Sequence, residues 1–184
     1  SNPLGLAEFT LSRKDPEYVG RAKAVRAEEE ARRAGKADDA LLAKVHAVPG
    51  CENLTWNDLQ IASTIFAVKP GDGSAREQAA SCQRVLGGAA NFACEYATKR
   101  YRSNCINWGM LPFLMKDPAV LDNGDYVYLP GVRKALLNAD DELTAIAVKP
   151  DGGVVRFTVS LGAMTDAERQ ILADGCLINY YKNN

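Results

Sequence analysis

A glycine-rich loop contains the residues of this sequence whose types and spacing could do chemistry. The loop reads, in order, Gly71-Asp72-Gly73-Ser74-Ala75-Arg76. A glycine loop that leads from a strand into a helix exposes backbone N–H groups at the positive end of the helix dipole, where a carboxylate or phosphate is favoured. Arg76 offers a planar fork that matches a carboxylate, and Ser74 could bind an oxygen or act as a base. On these residues alone, a capped helix start after a turn is the more common interpretation.

Short apolar runs alternate with helical segments around this loop. The pattern predicts a strand at 64–68, a helix at 76–86, a strand at 89–94, a helix at 98–108 and a strand or extended chain at 110–114. Such alternation is typical of an α/β sheet domain. The loop with Ser74 therefore follows the first strand and precedes the first helix of this domain.

The C-terminal half carries turn and capping signals. The clearest hairpin joins runs at 143–148 and 154–160 through Lys149-Pro150-Asp151-Gly152-Gly153. Thr165 and Glu168 have the spacing of a capping box, and Gly175 is placed to end the helix that they begin. Further runs predict a strand at 125–129 and a short helix at 132–137. We expect the strands beyond Lys116 to form a different sheet.

The N-terminal segment differs in composition from the rest. Asp15 followed by Pro16 predicts a helix start, and Gly35 predicts its end. A second helix is predicted at 38–47. The first of these helices is rich in Ala, Arg and Glu, so we expect little of it to be buried. The sequence thus divides into a helical lead-in or connector at 1–55 and a sheet domain at 56–184.

Length and charge exclude several classes of protein. The chain has 184 residues, and 22 Lys and Arg nearly balance 23 Asp and Glu, for a net charge of -1. A dedicated nucleic-acid binder would usually carry a basic excess. No apolar run approaches the roughly 20 residues of a membrane span, and the N-terminus does not have the pattern of a signal peptide. These features predict a cytoplasmic protein of about one domain.

The cysteines do not have the spacing of a metal site. Five cysteines are scattered along the chain without a CxxC pair, and His46 is the single histidine. Structural zinc sites need four closely spaced ligands, and disulfide scaffolds need an even set. We therefore predict no metal ligands in this chain, and we assign the cysteines to packing.

The loop and its flanks resemble the last, swivelling domain of the aconitase family. That family's loop reads approximately Gly-Ser-Ser-Arg-Glu-His-Ala, and residues 73–79 here read Gly-Ser-Ala-Arg-Glu-Gln-Ala. The resemblance continues into Asn107-Trp108-Gly109-Met110-Leu111-Pro112 and covers about residue 61 to the end. It implies an α/β fold of the swivelling β/β/α type, shared with the small subunit of isopropylmalate isomerases.

The resemblance also implies a reaction, the reversible dehydration and hydration of a hydroxy-polycarboxylate by a hydro-lyase. Ser74 matches the family's base, and Arg76 matches an arginine that binds a substrate carboxylate. Gly73 and Ala75 complete the substrate-binding loop, although Ala75 replaces a serine that contacts substrate in the family. The family uses a [4Fe-4S] cluster as Lewis acid, held by cysteines of preceding domains that this chain does not contain.

The sequence leaves several alternatives for the partner of this chain. The lead-in favours a C-terminal fragment whose partners are cluster-bearing domains of the same polypeptide, with a small subunit that pairs with a large one as the alternative. In either case we expect the isolated chain to be inactive on a tricarboxylate-type substrate. A non-catalytic interaction module, with Lys99-Arg100-Tyr101-Arg102 as an RNA-binding patch, is a further alternative. We regard that patch as a solvated or domain-contact face.

Overall fold

A single six-stranded sheet forms the centre of the protein. The computed structural model describes residues 2–12 and 15–183, with the side chains of residues 9, 10 and 12 left aside. The strand order is β1-β2-β3-β6-β5-β4, and β1, β2 and β3 run parallel. The strands are β1 (Ser63–Ala67), β2 (Gly88–Ala93), β3 (Leu111–Leu114), β4 (Tyr126–Tyr128), β5 (Glu142–Val148) and β6 (Val154–Ser160). This arrangement confirms the α/β class expected from the sequence.

The expectation of a different sheet beyond Lys116 is wrong. Strand β6 pairs antiparallel with β3 through Leu114 and Ser160, and this contact joins the parallel half to the antiparallel half. The predicted hairpin is confirmed, with Glu142 opposite Ser160 and Val148 opposite Val154. The outer edge of a hairpin carries open backbone groups, and its own sequence does not specify which strand will pair with it.

The helices begin and end where the local signals predict. Asp15 accepts hydrogen bonds from the backbone of Glu17 and Tyr18 at the start of α2, and Thr165 and Glu168 form the expected capping box of α7. Among the described residues, α1 and α8 are helices that were not predicted from the sequence. The helices are α1 (Pro3–Ser12), α2 (Pro16–Arg33), α3 (Asp39–His46), α4 (Arg76–Val85), α5 (Lys99–Asn107), α6 (Val132–Asn138), α7 (Asp166–Asp174) and α8 (Leu177–Asn183). None of these helices is both long and apolar enough to cross a membrane.

The main core lies on the face of the sheet covered by α5, α6 and α7. Phe92 of β2 stacks on Phe113 of β3 with ring centroids 5.3 Å apart, and Ile106 of α5 is buried against them. Ile171 and Leu172 of α7 are buried in the same cluster, as predicted. The parallel strands and their crossover helices are thereby held as one layered unit.

Apolar side chains of the lead-in pack on the sheet domain at two places within the described residues. Ala7 of α1 is buried with Leu86, the C-cap of α4, and Val48 after α3 is buried with Ile146 and Val148 of β5. The latter contact covers the opposite face of the sheet, because Ile146 alternates with core-facing Ala145 along the strand. Little of α2 is buried, as expected, with Val19, Ala22 and Glu29 as its buried residues. The division into 1–55 and 56–184 stays a prediction.

Glu29 is a buried carboxylate that ties the lead-in to the sheet domain. Its two oxygens accept from Arg32 at 2.7 and 2.8 Å, from Arg33 at 2.9 Å and from the backbone N–H of Ile61 at 2.8 Å. Burial by itself raises the pKa of Glu29, but these four donors outweigh it and lower the pKa from 4.5 to about 2. The charged form is therefore the one that stabilises the fold.

Glu29→Gln is expected to lower the free energy of unfolding at pH 7 by about 3 kcal/mol, the equivalent of this pKa shift. Because the folded pKa is the lower one, the stabilisation is full above the ordinary carboxyl pKa and is lost as the pH falls through about 2. Urea unfolding from pH 7 down to pH 2 measures this. The control is Glu17→Gln, since Glu17 is 85% exposed in its pair with Arg21. Equal losses for the two variants would contradict the assignment.

Candidate functional site

The loop with Ser74 lies at the carboxyl edge of the parallel strands. Strand β1 ends at Ala67, and the loop after it is bonded to the loop after β2. The backbone N–H groups of Cys94 and Glu95 donate to Val68 O at 3.1 and 3.0 Å, and Ala97 N–H donates to Pro70 O at 2.9 Å. The crevice outside the carboxyl ends of parallel strands is where open α/β sheets bind ligands.

Gly71 fixes the shape of this loop. Its φ is +96°, a conformation that side chains rarely adopt, and a Cβ at Gly71 would lie 2.6 Å from the side chain of Tyr101. Its carbonyl oxygen accepts a hydrogen bond from Arg76 Nε at 3.1 Å and one from Thr98 Oγ1 at 3.4 Å. Arg76 is half-buried and oriented by this contact, and the fork of its terminal nitrogen atoms is the part suited to a carboxylate.

Ser74 lies beside the N-terminus of α4 without capping it. The N-cap residue is Ala75, whose methyl side chain makes no capping hydrogen bond, and Arg76 is the first helical residue. A helix start capped by its own loop, the more common arrangement, is therefore not what the structure has. Gly73, Ser74 and Ala75 are all exposed. The predicted site residues thus come together at the positive end of a helix dipole.

The first turn of α4 is held by residues of α5. Trp108 Nε1 donates to Glu77 Oε1 at 2.5 Å. With its oxygen toward α4, the Asn104 amide accepts from the Glu77 backbone N–H and donates to Glu77 Oε2, both at 3.1 Å. Sequence analysis did not identify these positioning contacts. The sequence signal that could have indicated them is that Glu77 and Trp108 both lie within the motifs that resemble the family.

A buried polar cluster supports Tyr101 beneath the loop. Asn91 Nδ2 donates to Tyr101 Oη at 3.2 Å, and Gln83 Nε2 donates to Asn91 Oδ1 at 2.6 Å. Burial raises the pKa of Tyr101, and burial raises the pKa of the neighbouring Cys105 thiol to about 11. Both groups therefore stay protonated near neutral pH. Their role is to fix the ring against which Gly71 packs.

A cavity of about 490 Å³ lies where β3 meets β6. Cys94, Lys116, Glu142 and Ser160 are among its lining residues, with Phe157 as part of its apolar wall. Neither Ser74 nor Arg76 lines it. The cavity is near the carboxyl ends of β2 and β3 but is separate from the Ser74 loop.

The described residues of this chain do not fit an iron-sulfur cluster. Within 2–12 and 15–183, no three His, Cys, Asp or Glu side chains are grouped closely enough to hold a metal ion. Cys51, Cys82 and Cys105 are buried in three different apolar clusters, in agreement with a packing role. Ligands for a [4Fe-4S] cluster would have to come from another domain or chain.

The segment proposed as an RNA-binding patch is mostly engaged within the protein. Tyr101 is buried, and Arg102 Nη2 donates to the carbonyl oxygens of Leu161 and Ala163 at 2.8 and 2.9 Å. Lys99 and Arg100 are exposed. This arrangement fits a helix that packs on the core through Tyr101 and carries two solvated cations.

The comparisons with known proteins give a weak likeness to a dehydratase. No protein-family model and no curated protein matches the chain. Among solved structures, the chain is similar to 3-isopropylmalate dehydratase from Methanocaldococcus jannaschii, with 25% sequence identity and a TM-score of 0.43. The match covers 65% of this chain and 63% of that chain, so the chain spans less than two thirds of that protein's length. A TM-score this low carries no weight for the roles of Ser74 and Arg76.

Proposed function

We propose that this chain is the swivelling domain of an aconitase-like hydro-lyase, to which it supplies a serine base and a carboxylate-binding arginine. One observation carries the proposal. The segment that matches the family's loop in sequence also lies at the N-terminus of α4, outside the carboxyl ends of parallel strands. Arg76 is oriented there by Gly71 O, and Ser74 is exposed to a ligand.

Ser74 takes the proton from the carbon next to a substrate carboxylate in the dehydration direction. A serine hydroxyl is a poor base at neutral pH, so the alkoxide form needs stabilisation. The positive end of α4, and the guanidinium of Arg76 two residues further along the chain, are the groups of this chain that can stabilise it. Groups outside this chain assist the departure of hydroxide from the adjacent carbon. Hydration is the reverse of these steps.

Arg76 binds a carboxylate of a tricarboxylate-type substrate through its terminal nitrogen atoms. Because its Nε is engaged by Gly71 O, the fork keeps one orientation as substrate binds and leaves. Ala75 provides no hydroxyl, so the contact that the family makes at this position is absent from the site. We infer that substrate choice differs from that of aconitase for this reason.

The partner in this proposal is a cluster-bearing set of domains, either in the same polypeptide or in a large subunit. The [4Fe-4S] cluster would be bound there, because the residues of this chain do not fit it. A non-catalytic interaction module on the same fold is the second candidate, and it is favoured only by the exposure of Lys99 and Arg100. The cytoplasmic location stays a prediction from sequence.

Ser74→Ala in the full-length or reconstituted enzyme is expected to lower kcat about 10²–10⁴-fold, for dehydration of a hydroxy acid and for hydration of the unsaturated acid alike, because the base is removed. Steady-state kinetics with citrate, aconitate and isopropylmalate measures this loss. Ser81→Ala is the matched control, since Ser81 lies within α4, which follows the Ser74 loop, and its hydroxyl donates to Gln78 O. Full turnover by Ser74→Ala would overturn the catalytic role and leave the interaction module. The chain alone is expected to give no turnover.

A further inference from the structure

A second cavity lies at the opposite edge of the sheet from the Ser74 loop. It has a volume of about 280 Å³ and is lined by residues of α2, of the end of α4 and of the segments just before β1 and β2. Ala62 and Gly87, which directly precede these two parallel strands, both belong to its wall. The cavity is therefore formed between the lead-in and the amino ends of the parallel strands.

Arginines dominate the charge of this cavity. Arg26, Arg33 and Arg84 line it together with Glu29 and Glu30. Glu30 is paired with Arg26 at 3.1 Å, and Glu29 is shared between Arg33 and the adjacent Arg32. Arg32 is not part of the wall, but it shares Glu29 with Arg33, so four guanidinium groups in and beside the cavity stand against two carboxylates, an excess of two positive charges. The carbonyl ends of α2 and α4 carry roughly half a negative charge each, which leaves about one positive charge uncompensated.

Arg84 carries that uncompensated charge. It is half-buried, and its Nη1 donates to Gly88 O at 3.1 Å, whereas the ion pairs within the described residues do not include Arg84. Burial is the largest cause that lowers the pKa of Arg84; the neighbouring Cys176 acts in the opposite direction, and the nearby Arg33 charge lowers the pKa further. A guanidinium held beside a like charge in a concave surface is stabilised when an anion binds between them.

The arginines are already held in place before any ligand enters. Arg26 Nη1 donates to Val85 O at 3.1 Å, and Arg33 Nε donates to Glu29 Oε1 at 2.9 Å. Such bonds reduce the side-chain entropy that binding would otherwise cost. We propose that this cavity is a binding site for a phosphate group, formed by Arg26, Arg33 and Arg84.

Phosphate fits this wall better than a carboxylate does. A carboxylate is planar and satisfies one guanidinium fork, whereas the oxygens of a tetrahedral phosphate can accept from donors on several sides. Here the donors come from α2 on one side and from α4 on the other. A bound phosphate would therefore bridge the lead-in and the sheet domain, and it would add to the stability of the folded chain.

Titration calorimetry on this chain, in HEPES at constant ionic strength adjusted with sodium chloride, tests the proposal. In the titration, inorganic phosphate is expected to bind saturably. In thermal unfolding under the same conditions, phosphate is expected to raise the melting temperature more than chloride at the same ionic strength does. Phenyl phosphate, as a phosphate monoester, is expected to bind as well, and acetate is expected to bind more weakly. Saturable binding of acetate as tight as that of phosphate would contradict the phosphate class.

Arg84→Gln and Arg33→Gln are each expected to raise the Kd for phosphate about tenfold or more, because each variant loses one hydrogen bond between charged groups. Arg33 is 66% exposed, and in its variant Glu29 keeps the hydrogen bonds from Arg32 and Ile61, so Arg33→Gln tests the site even where Arg84→Gln, which loses its bond to Gly88, is destabilised. The control is Arg156→Gln at an exposed position of β6, which makes the same charge change. No saturable phosphate binding, or equal weakening in all three variants, would overturn the site and indicate an unspecific ion effect. The result does not depend on the hydro-lyase proposal.

Discussion

Gly109→Ala is expected to lower the free energy of unfolding by about 4 kcal/mol. Gly109 follows α5 with a φ of +75°, and a Cβ there would overlap the carbonyl group of Gly175 at the end of α7. The obstacle is backbone, so no side-chain rotation relieves it. Overpacking costs about 1–3 kcal/mol and the left-handed conformation about 1–2 kcal/mol for a residue with a Cβ. Urea unfolding followed by circular dichroism measures the sum.

Gly124→Ala separates the two contributions. Gly124 has a φ of +93°, but no atom lies within 4 Å of the position that its Cβ would take. Its substitution is expected to cost about 1 kcal/mol, the conformational part alone. Equal losses at Gly109 and Gly124 would show that α5 and α7 do not approach each other as closely as described. The difference between the variants is thus a direct measure of this contact.

If the chain serves the proposed hydro-lyase, Gly71→Ala is expected to lower turnover of that enzyme about 10²-fold, because a shift of about 1 Å in a positioned group has an effect of this size. The new Cβ would contact the ring of Tyr101, which is itself fixed by Asn91. The loop must then move, and Gly71 O no longer orients Arg76. We expect KM to rise with the fall in kcat, since Arg76 binds the substrate carboxylate in the proposed function.

Gly152→Ala is the control for this loop variant. Gly152 has a φ of +90° and open space around its Cβ position, and it lies in the turn between β5 and β6. Both variants carry the strain of a positive φ, but only Gly71→Ala displaces Ser74 and Arg76. Amide NMR shifts of Thr98 and Tyr101 should change in Gly71→Ala alone. Unchanged shifts and full turnover would contradict the role of Gly71 as the residue that fixes the loop.

Local signals accounted for most of the secondary structure. The capping of α2 by Asp15, the capping box at Thr165 and the hairpin around Gly152 each depend on residues within about four positions of one another. Such interactions are encoded in short stretches of chain and can be recognised there. The loop of Ser74 belongs to this class, since the strand before it and the helix after it were both predictable.

The tertiary contacts of the loop could not be predicted from neighbouring residues in the sequence. From the sequence, Gly73 and Ser74 were the loop residues expected to matter for function. In the structure, the loop residue packed closely against another element is Gly71, which lies against Tyr101 of α5. Glu77 likewise takes its partners from α5, through Asn104 and Trp108. These contacts depend on how two crossover helices pack beside each other on the sheet. Nothing in the spacing of either helix specifies that packing by itself.

The sequence by itself determined the α/β class, most of the element boundaries and the loop that contains Ser74 and Arg76, because each follows from neighbouring residues. Only the tertiary structure decided that one sheet joins both halves through Leu114 and Ser160, and that Glu29 meets the N–H of Ile61 in the interior. The physical reason is that such contacts join residues far apart in the chain, and their free energy depends on burial and on geometry that exist only after folding.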